Sequence, residues 1–115
     1  MSNKKKEGFK TEKMEKTDVM KIAHQYAKKI KEKYDCRKIF LFGSHTTGRE
    51  HEYSDIDIAV VLKDYDNIMD IQLELMRLTR KIDTRLEPHP FREKEFNQSD
   101  PVASEILKYG HRIDA

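Results

Sequence analysis

Residues 38–62 decide the fold, and they read KIFLFGSHTTGREHEYSDIDIAVVL. The bulky apolar run in Lys38–Phe42 predicts a short strand buried on both faces, which ends at Gly43-Ser44. The ten residues that follow, 45–54, are mostly polar and predict a loop. The alternation in Asp55–Leu62 predicts a second strand. Two adjacent strands joined by a polar loop are therefore the centre of the predicted fold.

The second predicted strand opens with two aspartates, Asp55 and Asp57. Side chains of a strand repeat with a period of two, so both carboxylates lie on one face, about 6.6 Å apart along the strand. In this arrangement they can share one divalent cation or hold two at the roughly 3.5–4 Å spacing of two-metal enzymes. Carboxylates at the inner end of an apolar strand need a cation or hydrogen bonds to offset their desolvation. We predict that both bind Mg²⁺; the alternative is an exposed strand start.

The Gly43-Ser44 turn predicts a phosphate-binding site. Backbone N–H groups at such a turn can donate to phosphate oxygens, since glycine permits close approach, and Ser44 adds a hydroxyl. A tight turn without a ligand is the alternative. Arg49, His45 and His51 lie in the following loop. We leave them out of the predicted site, because loop residues of these types are usually solvated and the histidines lack the further ligands of a transition-metal site.

The rest of the chain predicts three helices and one more strand. These are a helix over 18–34, a helix over 67–81, a strand over 82–87 that Pro88 ends, and a helix capped by Asp100 that ends at Gly110. In the helix over 67–81, Met69, Leu73 and Met76 widen the apolar stripe predicted to face the core. The order helix, strand, strand, helix, strand, helix predicts an α/β domain.

Length and composition limit the classes of protein to consider. A chain of 115 residues forms one domain. Residues 1–16 carry six Lys and three Glu, which predicts a flexible charged N-terminal tail ahead of a nearly neutral domain over 17–115. We therefore do not predict nucleic-acid binding. The single Cys36 excludes an internal disulfide and a cysteine-based zinc cluster, so we interpret it as structural. Without an apolar run of about 18 to 20 residues, we predict no membrane span and a cytoplasmic location.

Phe40-Leu41-Phe42-Gly43-Ser44, the ten-residue gap and Asp55-Ile56-Asp57 resemble the signature of the polymerase-beta-like nucleotidyltransferase superfamily, specifically its small stand-alone members, the minimal nucleotidyltransferases. The resemblance implies the nucleotidyltransferase fold, a small mixed β-sheet flanked by α-helices. It implies transfer of a nucleoside monophosphate from an NTP, with ATP expected, to a hydroxyl of a protein or small molecule. Pyrophosphate would be released, and two Mg²⁺ ions would serve as cofactors. Gly43 and Ser44 would contact the triphosphate, and Asp55 and Asp57 would bind metal.

The resemblance also implies a third acidic residue, on the strand predicted over 82–87. Asp83 and Glu87 are the candidates. On a strand they would share a face but lie about 13 Å apart, too far to complete the same site. We favour Glu87 as a catalytic metal ligand, because relatives resembling Leu86–Phe91 place their acid shortly before a helix start like Lys94–Phe96. Asp83 remains the alternative.

The resemblance implies a partner as well, because small members of the superfamily often accompany a helical protein of the HEPN type. In such pairs the transferase can act as an antitoxin that adenylylates its partner. One alternative function is a non-catalytic nucleotide-binding module that neutralises or regulates a partner, which an exposed apolar helix patch and nucleotide binding without turnover would favour. A metal-dependent phosphodiesterase is a second alternative, and it fits the Gly43-Ser44 turn less well. From size alone, we also expect that such a domain can form a homodimer.

Overall fold

The computed structural model describes residues 11–43 and 55–114. Its elements, in chain order, are α1 (Thr11–Lys33), β1 (Cys36–Phe42), β2 (Ile56–Leu62), α2 (Ile68–Thr79), β3 (Leu86–Arg92), a 3₁₀ turn (Glu93–Glu95), α3 (Pro101–Tyr109) and β4 (His111–Arg112). The predicted α/β class is confirmed. The two-residue strand β4 was not predicted, because two residues carry no readable alternation.

Within residues 11–43 and 55–114, four strands form one mixed sheet in the order β3-β2-β1-β4. The central strand β1 is antiparallel to both β2 and β4, whereas β2 is parallel to β3. A parallel pair needs a crossover connection, and here α2 provides it. The order brings the C-terminal end of β1 and the N-terminal ends of β2 and β3 to the same end of the sheet.

Helices cover both faces of the sheet. On one face, α1 and α2 pack over the larger core, and the Tyr26 hydroxyl joins the two helices by donating to the Leu75 carbonyl oxygen at 2.7 Å. On the other face, α3 and the 3₁₀ turn cover a smaller cluster. Its buried members are Phe40, Ala59, Val61, Phe96, Ala103 and Ile106. Strand β2 therefore has apolar side chains on both faces, as its sequence of consecutive aliphatic residues requires.

The third strand differs from its prediction in both bounds. It begins at Leu86 and continues to Arg92, through Pro88 and Pro90, which the sequence predicted to end it. Proline is tolerated because β3 is an edge strand, and both prolines lie on alternate positions that face away from β2. The outer edge of β3 also receives a hydrogen bond, because Nε2 of the Gln72 side chain donates to the Pro88 carbonyl oxygen at 2.8 Å.

Two helices also differ from their predictions. The first helix begins at Thr11 rather than at residue 18, so the end of the predicted tail is helical, while residues 1–10 lie outside the described part. In α2, the core-facing residues are Ile71 and Leu75. Met69 is 72% exposed and Leu73 56% exposed, so these residues do not widen the buried stripe as predicted. They form, with Ile68 and Met76, an exposed apolar stripe.

Neither α1 nor any other helix in the part that the structure describes is long and apolar enough to cross a membrane. Cys36 is partly buried at the start of β1, and burial raises the pKa of its thiol to about 11. A thiol that resists ionisation is a poor nucleophile, which agrees with a structural role for Cys36.

Candidate functional site

The site lies at the end of the sheet where three strands meet, and register places its residues. Phe42 of β1 is paired with Asp57 of β2, and Asp57 is paired with Glu87 of β3. Side chains opposite each other on neighbouring strands point to the same face. The three residues therefore form a row on the face that α3 covers, and this row brings together two acids that are separated by 30 residues in the chain.

His89 joins the two acids. It lies two residues beyond Glu87 on β3, on the same face, and its Nε2 atom is 3.1 Å from Asp57 Oδ1 and 3.7 Å from Glu87 Oε1. One ligand atom from each of Asp57, Glu87 and His89 lies within 4.8 Å of the other two. Carboxylate and imidazole groups are common metal ligands. These three side chains are therefore the candidate metal-binding group.

Electrostatics explain why a cation suits this group. The pKa of Glu87 is raised, first by a hydrogen bond with Asp57, then by partial burial and by the negative charges of Asp55 and Asp57. Glu87 thus ionises less readily than an ordinary glutamate, because a second carboxylate lies beside it. A divalent cation between the two would favour the ionised form of both, so the donor set fits the metal that the resemblance implies.

The other predicted ligands lie either outside the three-residue group or outside the described residues. Asp55 is exposed and lies just before β2, outside the three-residue group, although its charge acts on Glu87. Ser44, Arg49, His45 and His51 lie outside the described residues. The predicted role of Ser44 in phosphate binding stays a prediction.

Gly43 follows β1 directly and has a backbone φ of 83°, a conformation that L side chains rarely adopt. A Cβ atom built at this position would collide with the Asp57 carboxylate, at atom Oδ2. Glycine is therefore required here for two reasons, the backbone conformation and the close approach of the chain to Asp57. The backbone that the sequence predicted to bind phosphate thus lies directly against the predicted metal ligand.

Asp83 lies apart from the three-residue group, in the turn before β3 and not on the strand. Its carboxylate accepts hydrogen bonds from Arg85, at 2.8 Å from the backbone nitrogen and at 3.1 Å and 3.0 Å from the guanidinium. These bonds, chiefly those from the guanidinium, lower the pKa of Asp83. The prediction that Asp83 and Glu87 share a strand face is wrong, because β3 begins only at Leu86. Asp83 shapes the turn instead.

We expect Asp83→Asn to destabilise the fold by about 1 kcal/mol at neutral pH, since it weakens charge-assisted bonds. The folded pKa of Asp83 lies below its ordinary value of 3.8, so the stabilisation is present above that value and is lost as pH falls through the folded pKa. Thermal unfolding of both proteins from about pH 7 to about pH 2.5 measures this. The same charge change in exposed Asp66→Asn is the control. A gap between wild type and Asp83→Asn that persists at the lowest pH would contradict the assignment.

An apolar cleft lies beside Gly43. It has a volume of about 380 Å³ and is lined by residues from the end of β1 and from α3. The lining residues are Phe42, Gly43, Pro101, Val102, Glu105, Ile106, Tyr109 and Gly110. Clefts that bind small ligands have volumes of about 300–1,000 Å³ and mostly apolar walls. A cleft of this size and lining can accommodate an apolar or aromatic group.

Comparison with known proteins identifies the family. Residues 12–113 match the sequence model of the family Polymerase beta, Nucleotidyltransferase. The chain belongs to this nucleotidyltransferase family. The resemblance predicted from the Gly43-Ser44 and Asp55-x-Asp57 motifs is thereby confirmed, and so is the prediction that the protein is a transferase enzyme.

This nucleotidyltransferase is similar to several known proteins. It is 33% identical over 73 residues to MJ1215 of Methanocaldococcus jannaschii, a candidate protein adenylyltransferase, and the match covers 52% of this chain and 85% of the relative. A crystal structure of a candidate nucleotidyltransferase from Sulfolobus solfataricus matches with a TM-score of 0.58, 22% identity and 74% coverage of each chain. A crystal structure described as the toxin-antitoxin with AMP-PNP matches with a TM-score of 0.56 and 24% identity, over 87% of this chain and 73% of that one. Both structures share the fold.

His89 is the member of the three-residue group that no sequence prediction included. Its flanking prolines predicted the end of a strand, which removed it from the strand face that carries Glu87. The missed signal is the spacing Glu87-x-His89, which puts both side chains on one face once the strand continues. Recognising it would have required knowing that β3 is an edge strand.

Proposed function

We propose that this nucleotidyltransferase binds an NTP, with ATP as the expected nucleotide, and transfers its nucleoside monophosphate to a hydroxyl of a protein in a Mg²⁺-dependent reaction. The observation that carries the proposal is the register of Asp57 with Glu87, next to the positive-φ backbone at Gly43. Two carboxylates beside a backbone that approaches them closely suit the phosphates and cations of a metal-bound triphosphate.

Each part of the site has a role in this reaction. Asp57 and Glu87 would hold the cations, and Asp55, whose role as a metal ligand stays a prediction, adds negative charge near Glu87. Two Mg²⁺ ions held there would supply positive charge for the phosphates and the leaving pyrophosphate and would lower the pKa of the attacking hydroxyl. Gly43 lets the backbone that follows β1 lie against Asp57, where a side chain would collide. The apolar cleft beside it receives the nucleoside, so that the α-phosphate lies over the acids.

A protein acceptor is supported by the relatives. MJ1215 is described as a candidate protein adenylyltransferase, and one protein of the same fold was crystallised as a toxin-antitoxin with AMP-PNP. We propose that this chain, too, acts on a partner protein, of the HEPN type that the resemblance implies. The exposed apolar stripe on α2, with Met69 and Leu73 as its most exposed members, is the surface proposed for docking that partner.

Calorimetric titration of ATP, with and without Mg²⁺, tests nucleotide binding. We expect binding to wild type that needs Mg²⁺ and is lost in Asp55→Asn/Asp57→Asn, whereas Asp66→Asn, beyond the opposite end of β2, binds as wild type does. In the same titration, Val102→Glu places a carboxylate in the apolar cleft and should weaken binding of ATP more than binding of tripolyphosphate. Failure of ATP, GTP, CTP and UTP to bind would overturn the proposal.

The alternative function is a non-catalytic nucleotide-binding module that regulates a partner. One of its two expected features is present, because α2 exposes an apolar stripe in which Met69 is 72% exposed. The second feature would be nucleotide binding without turnover. Transfer of label from α-³²P-ATP to a co-purified partner distinguishes the two functions. Label on the partner supports the transferase, and tight ATP binding without label supports the module.

A further inference from the structure

We propose that His89 is itself a metal ligand of this site and raises its affinity for first-row transition cations, such as Mn²⁺, while leaving its affinity for Mg²⁺ almost unchanged. The inference rests on the metal site of the proposed function, although not on the transfer reaction. No predicted ligand set included His89. It is the nitrogen donor of the three-residue group in the part of the chain that the structure describes.

The distances suit a cation shared by three ligands. In an octahedral complex with bonds of about 2.1 Å, neighbouring ligand atoms lie about 3 Å apart. Nε2 of His89 lies 3.1 Å from Asp57 Oδ1 and 3.7 Å from Glu87 Oε1. The imidazole thus presents the same nitrogen to both carboxylates. The distance to Asp57 matches this spacing, and the distance to Glu87 is longer by an amount that a small side-chain movement can close.

The local structure holds the ring in place. His89 is paired with Ala59 across the parallel ladder, and prolines on both sides restrict the backbone. Phe42 contacts the imidazole edge-on, with ring centroids 5.1 Å apart at 64°. The side chain is 39% exposed, so solvent and a cation can still reach it. A ligand oriented before the metal arrives loses little freedom on binding.

Ligand chemistry explains why His89 affects the two kinds of cation differently. Mg²⁺ is a hard cation that takes oxygen ligands, so an imidazole adds little to its binding. First-row transition cations bind imidazole nitrogen as well as carboxylate oxygen, and their affinity rises from Mn²⁺ to Cu²⁺. Two carboxylates and one imidazole therefore form a donor set better matched to Mn²⁺ or Co²⁺ than a site of three carboxylates would be.

Mn²⁺ binding to the full chain, without nucleotide, tests the inference by electron paramagnetic resonance. His89→Asn is the test variant, because asparagine keeps a polar group at the Nδ1 position but has no atom at the Nε2 position. His24→Asn, on the exposed side of α1, is the matched control. We expect a loss of Mn²⁺ affinity on the order of 10- to 100-fold in His89→Asn and about none in His24→Asn. Mg²⁺ affinity, measured by competition, should change by less than about twofold.

Electron spin echo modulation from ¹⁴N identifies the ligand directly. We expect ¹⁴N modulation in Mn²⁺-loaded wild type and His24→Asn and its loss in His89→Asn. Unchanged or tighter Mn²⁺ binding to His89→Asn would overturn the inference, since it would mean that His89 competes with the cation for Asp57. AMP transfer with Mg²⁺ but no ¹⁴N signal would overturn the inference alone. A ¹⁴N signal without transfer activity would overturn the proposed function alone.

Discussion

Replacing Glu87 with glutamine is expected to lower the rate of AMP transfer by about a thousandfold while the protein stays folded. Glutamine has nearly the same shape, but it removes the charge that we propose to bind the cation together with Asp57. Metal stabilisation of the transition state amounts to several kcal/mol, and about 4 kcal/mol corresponds to a factor of about a thousand in rate. The measurement is single-turnover transfer from α-³²P-ATP at saturating nucleotide and Mg²⁺.

The stability of the same variant gives a second, independent result. Ionised Glu87 is disfavoured in the folded protein, because Asp57 and Asp55 lie close to it and raise its pKa. Glutamine carries no charge and can donate to Asp57, so Glu87→Gln should unfold in EDTA at a temperature equal to or above that of wild type. Addition of Mg²⁺ should stabilise wild type and leave the variant almost unchanged. The unfolding temperature therefore distinguishes a loss of activity caused by unfolding from one caused by the missing charge.

Asp83→Asn is the matched control for the third acid, because it makes the same chemical change in the rival candidate. Asp83 bonds to Arg85 and lies outside the metal-binding group, so this variant should retain transfer activity once its small loss of stability is allowed for. Retained activity in Glu87→Gln together with lost activity in Asp83→Asn would reverse the assignment of the third acid.

The accuracy of the sequence predictions depends on whether each feature is determined locally. β2 was predicted within one residue, because its alternation is a property of neighbouring residues. The predicted cap at Asp100 and the predicted end at Gly110 are confirmed. Both could be predicted because each signal depends on residues within one helical turn. The proximity of Glu87 to Asp57, in contrast, depends on the pairing of β2 with β3. The resemblance supplied that placement, and the residues alone did not.

The errors arise from tertiary context. Pro88 and Pro90 would end a central strand, and only the order β3-β2-β1-β4 shows that β3 lies at an edge. Helical periodicity placed Met69 and Leu73 near the side of α2 that faces the core. The contact between α2 and the core is narrow, however, and it buries only the stripe around Ile71 and Leu75. Periodicity predicts which side of a helix faces the core. The elements that pack against the helix determine how wide the buried stripe on that side is.

Replacing Gly43 with alanine is expected to destabilise the fold by about 2 kcal/mol and to abolish AMP transfer. The left-handed conformation at φ 83° costs an L residue about 1–2 kcal/mol, and the new Cβ would collide with the Asp57 carboxylate. Asp57 cannot turn away freely, because it is held by His89 at 3.1 Å. Thermal unfolding and the transfer assay measure the two effects, and Mn²⁺ affinity should fall with them.

A double-mutant cycle separates the collision from the backbone strain. Asparagine tolerates positive φ better than alanine does, so Gly43→Asn reduces the strain while keeping the Cβ atom. Gly43→Ala/Asp57→Ala removes the carboxylate that the Cβ atom meets, and it should be more stable than the sum of the single changes predicts. Additive single changes would mean that Gly43 serves the turn alone. Coupling between them would mean that the glycine is required because the backbone and the Asp57 carboxylate occupy adjoining space, which links the turn after β1 to the chemistry proposed for β2.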